Sequence, residues 1–436
     1  MASFSFSGNF QLGVATAATQ IEGGKMDSSW ISWADDGHIK DNTSPERADD
    51  HYHLWREDTE LLARMDIPIY RFGVEWARIE PEEGTFSEQA ISHYLAELAL
   101  LRAHGITPLV TLHHFTNPLW FEALGGFETQ DNIPLFLRFV EHIVRSFGGL
   151  VNEYITINEP NVYAVNGFFF GDWPPGKRSF NRTVQVMSVL VSTHLQAYKL
   201  IHRIRSELGL AETKVGFANH LCIFVPANPK NPIHCITTSL MERFFQGSLS
   251  LAMTTGRCTW PLKCITHVVG TQFVDFHGVN YYARHAVSGF SDGFLLNVPK
   301  NDLGWEIYPS GIVEVAEKMY RIRPLPIYIT ENGTCDNQDL FRCRYLFDHL
   351  QAIAASPLPI KRYYHWCFLD NFEWLEGESA RFGLVKVDYP TQTRTLKDSG
   401  RFYQEIIQNN GVTEEMYAHY VDRQAYPCIQ RKDFAK

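Results

Sequence analysis

Several features that would narrow the function of this 436-residue chain are missing from it. No apolar run reaches the roughly 18 residues that cross a bilayer, so no membrane-spanning helix is expected. The first residues, MASFSFSGNFQLGV, hold no basic segment and no long apolar stretch, and so do not read as a signal peptide. The eight cysteines (Cys222, Cys235, Cys258, Cys264, Cys335, Cys343, Cys367 and Cys428) form no C-x-x-C pair and stand beside no histidines at zinc-ligand spacing. They read as reduced residues, and no metal is expected. An excess of basic residues is also absent: Lys and Arg number 39 against 49 Asp and Glu, a net charge of −10. Nucleic acid and anionic membrane are therefore excluded as partners. The chain reads as cytoplasmic. No low-complexity linker breaks it, and no G-x-G-x-x-G turn marks a dinucleotide site.

What the chain does have is aromatic residues, 14% of the total. These fill a core, or stack on the C–H faces of a sugar. It also has an alternation. Short apolar runs near 11–16, 67–76, 107–114, 154–158, 214–220, 273–280, 327–330 and 360–366 are strand-like. Amphipathic stretches near 49–66, 87–104, 134–147, 182–208, 237–254, 311–322, 340–355 and 400–409 follow them in turn. Strands alternating with helices predict a parallel sheet, and eight such units predict a closed α/β barrel, a single (β/α)8 TIM barrel spanning 1–436. The rival is an open doubly wound sheet, which usually carries the Gly-rich turn missing here. From about 412 an extension with Met416, Tyr417, Tyr420 and Tyr426 is expected to dock on the barrel.

Active sites in such barrels sit at the C-terminal ends of the strands. Two glutamates there stand out, Glu159 in ITINEP and Glu331 in IYITENG, on the fourth and seventh predicted strands. Each ends an apolar run where a core residue would be apolar. Placed across the barrel mouth, two carboxylates are what glycoside hydrolysis requires: one protonates the leaving oxygen, and the other attacks the anomeric carbon or activates water. Adjacent residues on a strand point to opposite faces, so His113 and His114 are not expected to chelate one ion. Glu75, also at a strand end, reads as a structural ion pair.

Ordered motifs run along nearly the whole chain: GVATAATQIEG (13–23), YRFGVEWARIEP (70–81), TLHHF (111–115), TINEP (156–160), GVNYY (278–282), ITENG (329–333) and LDNFEW (369–374). In them the chain resembles glycoside hydrolase family 1, the β-glucosidase and β-galactosidase family of retaining (β/α)8 enzymes. The resemblance implies a retaining exo-β-glycosidase that removes a terminal glucose, galactose or fucose by double displacement. No cofactor is implied. The partner is a small β-glycoside or oligosaccharide, and a homo-oligomer is compatible with the sequence.

The same resemblance implies roles. Glu159 would be the acid/base and Glu331 the nucleophile. Asn158 would bond the sugar 2-hydroxyl, while Arg71 and Tyr282 would orient the nucleophile and keep it charged. Gln20, His114, Glu373 and Trp374 would read the sugar hydroxyls over a Trp366 platform, with Asn280 in the polar network between the glutamates. The chain departs from the family pattern where Phe115 replaces Trp and Thr116 replaces Asp. The loops after the fifth and sixth strands are short, so aglycone preference does not carry over. Relatives specific for 6-phosphoglycosides share Phe115 but hold the phosphate with Ser, Lys and Tyr, where this chain has Glu373, Ala380 and Phe382. A sugar-binding protein without catalysis is a further alternative, against which the retention of both glutamates argues.

Overall fold

The computed structural model describes residues 2–210, 212–265 and 268–427. Eight strands close into a ring: β1 Gln11–Ala15, β2 Ile69–Gly73, β3 Thr107–Thr111, β4 Glu153–Asn158, β5 Lys214–Pro226, β6 His277–Ser288, β7 Ile327–Asn332 and β8 Ile360–Trp366. Each pairs in parallel with its chain neighbours, and β8 pairs with β1 to close the barrel. The open-sheet alternative is thereby excluded. Strands buried on both faces need apolar residues on both, which is why β2, β4 and β7 are buried at every position.

The helices cover the ring: α1 His51–Arg64, α2 Glu88–Ala103, α3 Ile133–Phe147, α4 Phe180–Glu207, α5 Pro232–Glu242, α6 Gly311–Ile322, α7 Arg342–Ala354 and α8 Asp398–Asn409. In α3 the stripe Phe136, Phe139, Val140, Ile143, Val144 and Phe147 is buried. Those positions recur every three or four residues and lie on one face. Inside the barrel, Ala15, Ile69, Leu109, Ile155, Ala218 and Phe276 form a separate core. Below it, at the N-terminal ends of β4 and β8, Arg362 pairs with Glu153.

Several boundaries differ from expectation, and β5 and β6 run on to Pro226 and Ser288, past the expected ends at 220 and 280. The sixth strand starts at His277 instead of Phe273, because Asp275 anchors the approach. Its carboxylate accepts from the Val215 amide and the Tyr198 hydroxyl, each at 2.8 Å. The fifth helix begins earlier, at Pro232, where Asn231 caps the Ile233 amide at 2.9 Å, and it loosens into wide turns over Arg243–Gly247 before resuming as Ser248–Thr255. Near the C-terminus, Gly411–Val412 pairs antiparallel with Phe4–Ser5, and Tyr426 donates to Asp348 on α7 at 2.6 Å. Cys428 lies outside the described residues; the other seven cysteines are free.

Candidate active site

The C-terminal ends of the strands open into a cavity of about 920 Å³, lined on its inner side by His114, Glu159, Tyr282, Glu331, Trp366 and Glu373. Glu331 is the fifth residue of β7, where the pairing with β6 and with β8 shifts register. Glu159 immediately follows β4 and caps a short helix beginning at Pro160, with a left-handed backbone at φ +42°. A side chain held in that region is strained, a feature concentrated at working sites. The Glu159 amide is tied to the Ala218 carbonyl of β5 at 2.7 Å.

The donors are distributed unequally between the two carboxyls. Arg71, fully buried on β2, donates to Glu331 Oε1 at 2.6 Å, and the Tyr282 hydroxyl donates to Glu331 Oε2 at 2.7 Å. Glu159 Oε1 accepts from Asn280 Nδ2 at 2.9 Å and lies 3.0 Å from His220 Nδ1. Asn158 links the two halves, since its Oδ1 accepts from Arg71 at 2.7 Å and from Asn280 at 3.0 Å. That orientation turns Asn158 Nδ2 toward His114 Nε2, 2.9 Å away. Nε2 must therefore accept, which puts the imidazole hydrogen on Nδ1. Burial, then Arg71, holds the His114 pKa well below its ordinary value, so the ring is neutral.

Burial raises the Glu331 carboxyl to about 7, and nearby Glu159 adds to this, while Arg71 and Tyr282 pull the other way. The cation and the hydroxyl thus act in the expected direction but do not outweigh burial. Glu373 is pushed up to about 8, chiefly by burial, against the opposing effect of the Trp366 and Gln20 donors. Gln20 Nε2 lies 3.3 Å from Glu373 Oε2, and the Trp366 indole N–H lies 3.4 Å from it. Trp374 stands beside His114, ring centres 5.9 Å apart. Of the residues expected to form the site, His114, Glu159, Tyr282, Glu331, Trp366, Glu373 and Trp374 line the cavity, while Gln20, Arg71, Asn158 and Asn280 sit behind it, each hydrogen-bonded to a lining residue. Among the described residues, no group of three or more His, Cys, Asp or Glu is placed to hold a metal.

Other positions differ from expectation. Among the described residues no cation pairs with Glu75, because Arg78 is taken by Glu22 at 2.8 Å. Instead Glu75 Oε2 accepts from the Thr19 hydroxyl at 2.5 Å, and Thr19 lies 2.5 Å from the Thr116 hydroxyl. Thr116 is thus tied to Thr19 and does not line the cavity. Phe115 packs edge-on to Trp173 and Trp374, with centres 4.9 and 5.2 Å away. His220, absent from the sequence-derived set, bonds Glu159 and stacks on the Tyr282 ring at 5.8 Å. Its only signal in the sequence is its place at the end of the fifth strand's apolar run.

The chain is similar to known proteins over nearly its whole length. The model of the family described as Glycosyl hydrolase family 1 matches residues 2–412. Beta-glucosidase A of Thermotoga maritima is 32% identical over 447 residues, which covers 94% of this chain and 99% of that one. Beta-glucosidase A of Acetivibrio thermocellus is 33% identical over 457 residues, covering 94% and 100%. The structure of the Thermotoga maritima beta-glucosidase in complex with glucoimidazole superposes with a TM-score of 0.85 at 30% identity, over 94% of this chain and 100% of that one. The chain belongs to glycosyl hydrolase family 1 and is a retaining exo-β-glycosidase.

Proposed function

We propose that Glu331 is the nucleophile and Glu159 the acid/base of an enzyme that releases terminal β-linked glucose, or its galactose or fucose counterpart, from glycosides with large apolar aglycones. The supporting observation for the roles is the unequal distribution of donors. Both oxygens of Glu331 accept from fixed donors, which suits a carboxylate. Both contacts to Glu159 land on Oε1, leaving Oε2 for a proton. Glu331 attacks the anomeric carbon while Glu159 protonates the leaving oxygen. Glu159 then deprotonates the water that opens the glycosyl-enzyme, and the β configuration returns.

The sugar is held by groups whose hydrogen-bonding capacity is unused by protein. His114 Nδ1 and Gln20 Oε1 are buried and have no protein partner, so one donor and one acceptor await hydroxyls. Glu373 in its neutral form supplies both. Trp366 supports the ring.

Beyond Glu159 the cavity wall changes character. Phe169, Phe170, Phe180, Phe244, Trp260 and Phe290 line it, and Trp260 and Phe290 are 57% and 96% exposed. Exposed aromatics gathered at the mouth of a catalytic cavity suit an apolar leaving group. Comparison of kcat/KM for methyl and octyl β-glucosides tests this. Burial of a few methylenes at about 0.8 kcal/mol each predicts a rise of at least about tenfold for the octyl substrate. Equal values, or a preference for cellobiose, would defeat the aglycone reading.

We read the chain as one catalytic domain in the cytoplasm. The free cysteines support a reducing compartment. No helix among the described residues is long and apolar enough to cross a membrane.

A further inference from the structure

The substrate cavity holds a second set of reactive side chains that double displacement does not use. His220 and Cys222 are two residues apart on β5 and so face the same way, and both line the cavity. On the adjacent β6, His285 pairs in register with Phe224 and lines the same wall. The Cys222 thiol is within electrostatic reach of both imidazoles. Each ring also meets a carboxylate: His220 Nδ1 lies 3.0 Å from Glu159 Oε1, and His285 Nδ1 lies 2.9 Å from Asp292 Oδ2. The Cys222 backbone is pinned at both polar atoms by Gln246, whose Oε1 accepts from the amide at 2.8 Å and whose Nε2 donates to the carbonyl at 2.9 Å. A row of five side chains, Glu159, His220, Cys222, His285 and Asp292, therefore runs from the catalytic carboxyl along the leaving-group wall.

A thiol between two imidazoles, each backed by a carboxylate, gives up its proton readily. The two histidines pull the Cys222 thiol down to about 6 against the opposing effect of burial. Against the opposing effect of burial, the sulfur and then the Asp292 carboxylate raise His285 to about 10. The remaining buried cysteines go the other way: burial pushes Cys335 up to about 12, and Cys343 and Cys367 are also raised.

We propose that Cys222 is a covalent modification site in the leaving-group half of the cavity, open to small soft carbon electrophiles such as haloacetamides and α,β-unsaturated carbonyls, and that adduct formation there stops turnover. With iodoacetamide the sulfur attacks the methylene carbon; the S–C bond forms, the C–I bond breaks, and iodide leaves with the bonding pair. The thiol proton stays on the imidazole that took it. With an α,β-unsaturated carbonyl the sulfur adds at the β-carbon, and the imidazolium returns the proton to the α-carbon. Either adduct fills space where the aglycone must lie. It also removes the charged sulfur that holds His220 between itself and Glu159.

The test treats the full-length enzyme with iodoacetamide at pH 7, maps adducts by peptide mass spectrometry, and follows residual activity on an aryl β-glucoside. Labelling is read by mass alone, so it stands apart from the roles given to the two glutamates. Cys222 should label about tenfold or more faster than the exposed Cys264, with activity lost in parallel. An aryl β-thioglucoside, occupying the cavity without being cleaved, should slow both. Cys222→Ala should lose its activity to the reagent at least about tenfold more slowly than wild type, whatever its starting rate, while Cys264→Ala should behave as wild type. If Cys222→Ala fails to fold, wild-type mapping with and without the thioglucoside decides. Activity lost without an adduct at Cys222, an adduct at Cys222 with full activity, or a Cys222→Ala protein inactivated at the wild-type rate would each overturn the proposal.

Discussion

The Tyr282 hydroxyl donates to Glu331 Oε2 across 2.7 Å, joining β6 to β7 at the point where a glycosyl bond would form. Burial and the two glutamates keep the phenol pKa well above its usual value, so it remains a donor throughout the working range. Tyr282→Phe removes one charge-assisted hydrogen bond, worth about 1.5–3 kcal/mol. The expected loss in kcat is about 10- to 100-fold. The bond also lowers the Glu331 pKa. Without it that pKa rises. Because Glu331 must be ionised to attack, the acidic limb of kcat/KM should move to higher pH. A variant with kcat within about twofold of wild type and an unmoved limb would show that the phenol does not serve the nucleophile.

Much of this site was legible because barrel chemistry gathers at strand ends, and a strand end is visible as a polar residue closing an apolar run. Glu159, Glu331 and His114 are of that kind. What stayed hidden depends on which side chains meet across strands. The row Glu75, Thr19 and Thr116 comes from the ends of three different strands, and no spacing within the chain reports that Thr19 joins the other two. His220 looked like an ordinary strand residue because its partner, Glu159, belongs to the neighbouring strand's end. The start of β6 was misplaced because Phe273, Val274 and Phe276 are as buried as any strand residue. Burial alone does not say which backbone groups pair.

Glu75 makes a stability prediction. Burial raises its carboxyl to about 7, against 4.5 for an ordinary glutamate. The native state therefore holds this proton more tightly than the unfolded chain. Its favourable contribution is full below the unfolded pKa and is lost as pH rises through about 7. Glu75→Gln cannot ionise and escapes that loss. Between pH 5 and pH 8 the variant should gain about 2–3 kcal/mol relative to wild type. Urea unfolding at both pH values gives the comparison, and a constant difference would refute it.

Phosphorylated substrates should be poor. Among the described residues lining the cavity there is no lysine or arginine, whereas Glu159, Glu331, Glu373 and Asp292 all line it. Arg381, in the last loop, is committed to Asp370 at 2.9 Å and to the Val387 carbonyl at 3.1 Å. A 6-phosphate would meet carboxylates without a cation to offset its charge. The kcat/KM of a 6-phospho-β-glucoside should fall at least about 100-fold below that of the plain glucoside. A higher value for the phosphorylated substrate would reverse the reading.

The roles of the two glutamates can be separated by rescue with azide. In Glu331→Ala the nucleophile is gone and the α face of the anomeric carbon is open. Azide attacks there once, so an activated β-glycoside should yield the α-glycosyl azide. In Glu159→Ala the nucleophile still forms the glycosyl-enzyme when the leaving group needs no proton. Azide then intercepts that intermediate from the opposite face and gives the β-glycosyl azide. One displacement inverts and two retain, so the product anomer reports how many have occurred. The acid matters most for poor leaving groups, so Glu159→Ala should lose far more activity on an alkyl glucoside than on a dinitrophenyl glucoside. Glu331→Ala should lose activity on both alike, since attack is required in either case. The product anomers are read by proton NMR. A β-azide from Glu331→Ala, or an α-azide from Glu159→Ala, would require the two roles to be exchanged, and the unequal distribution of donors around the two carboxyls would then need a different explanation.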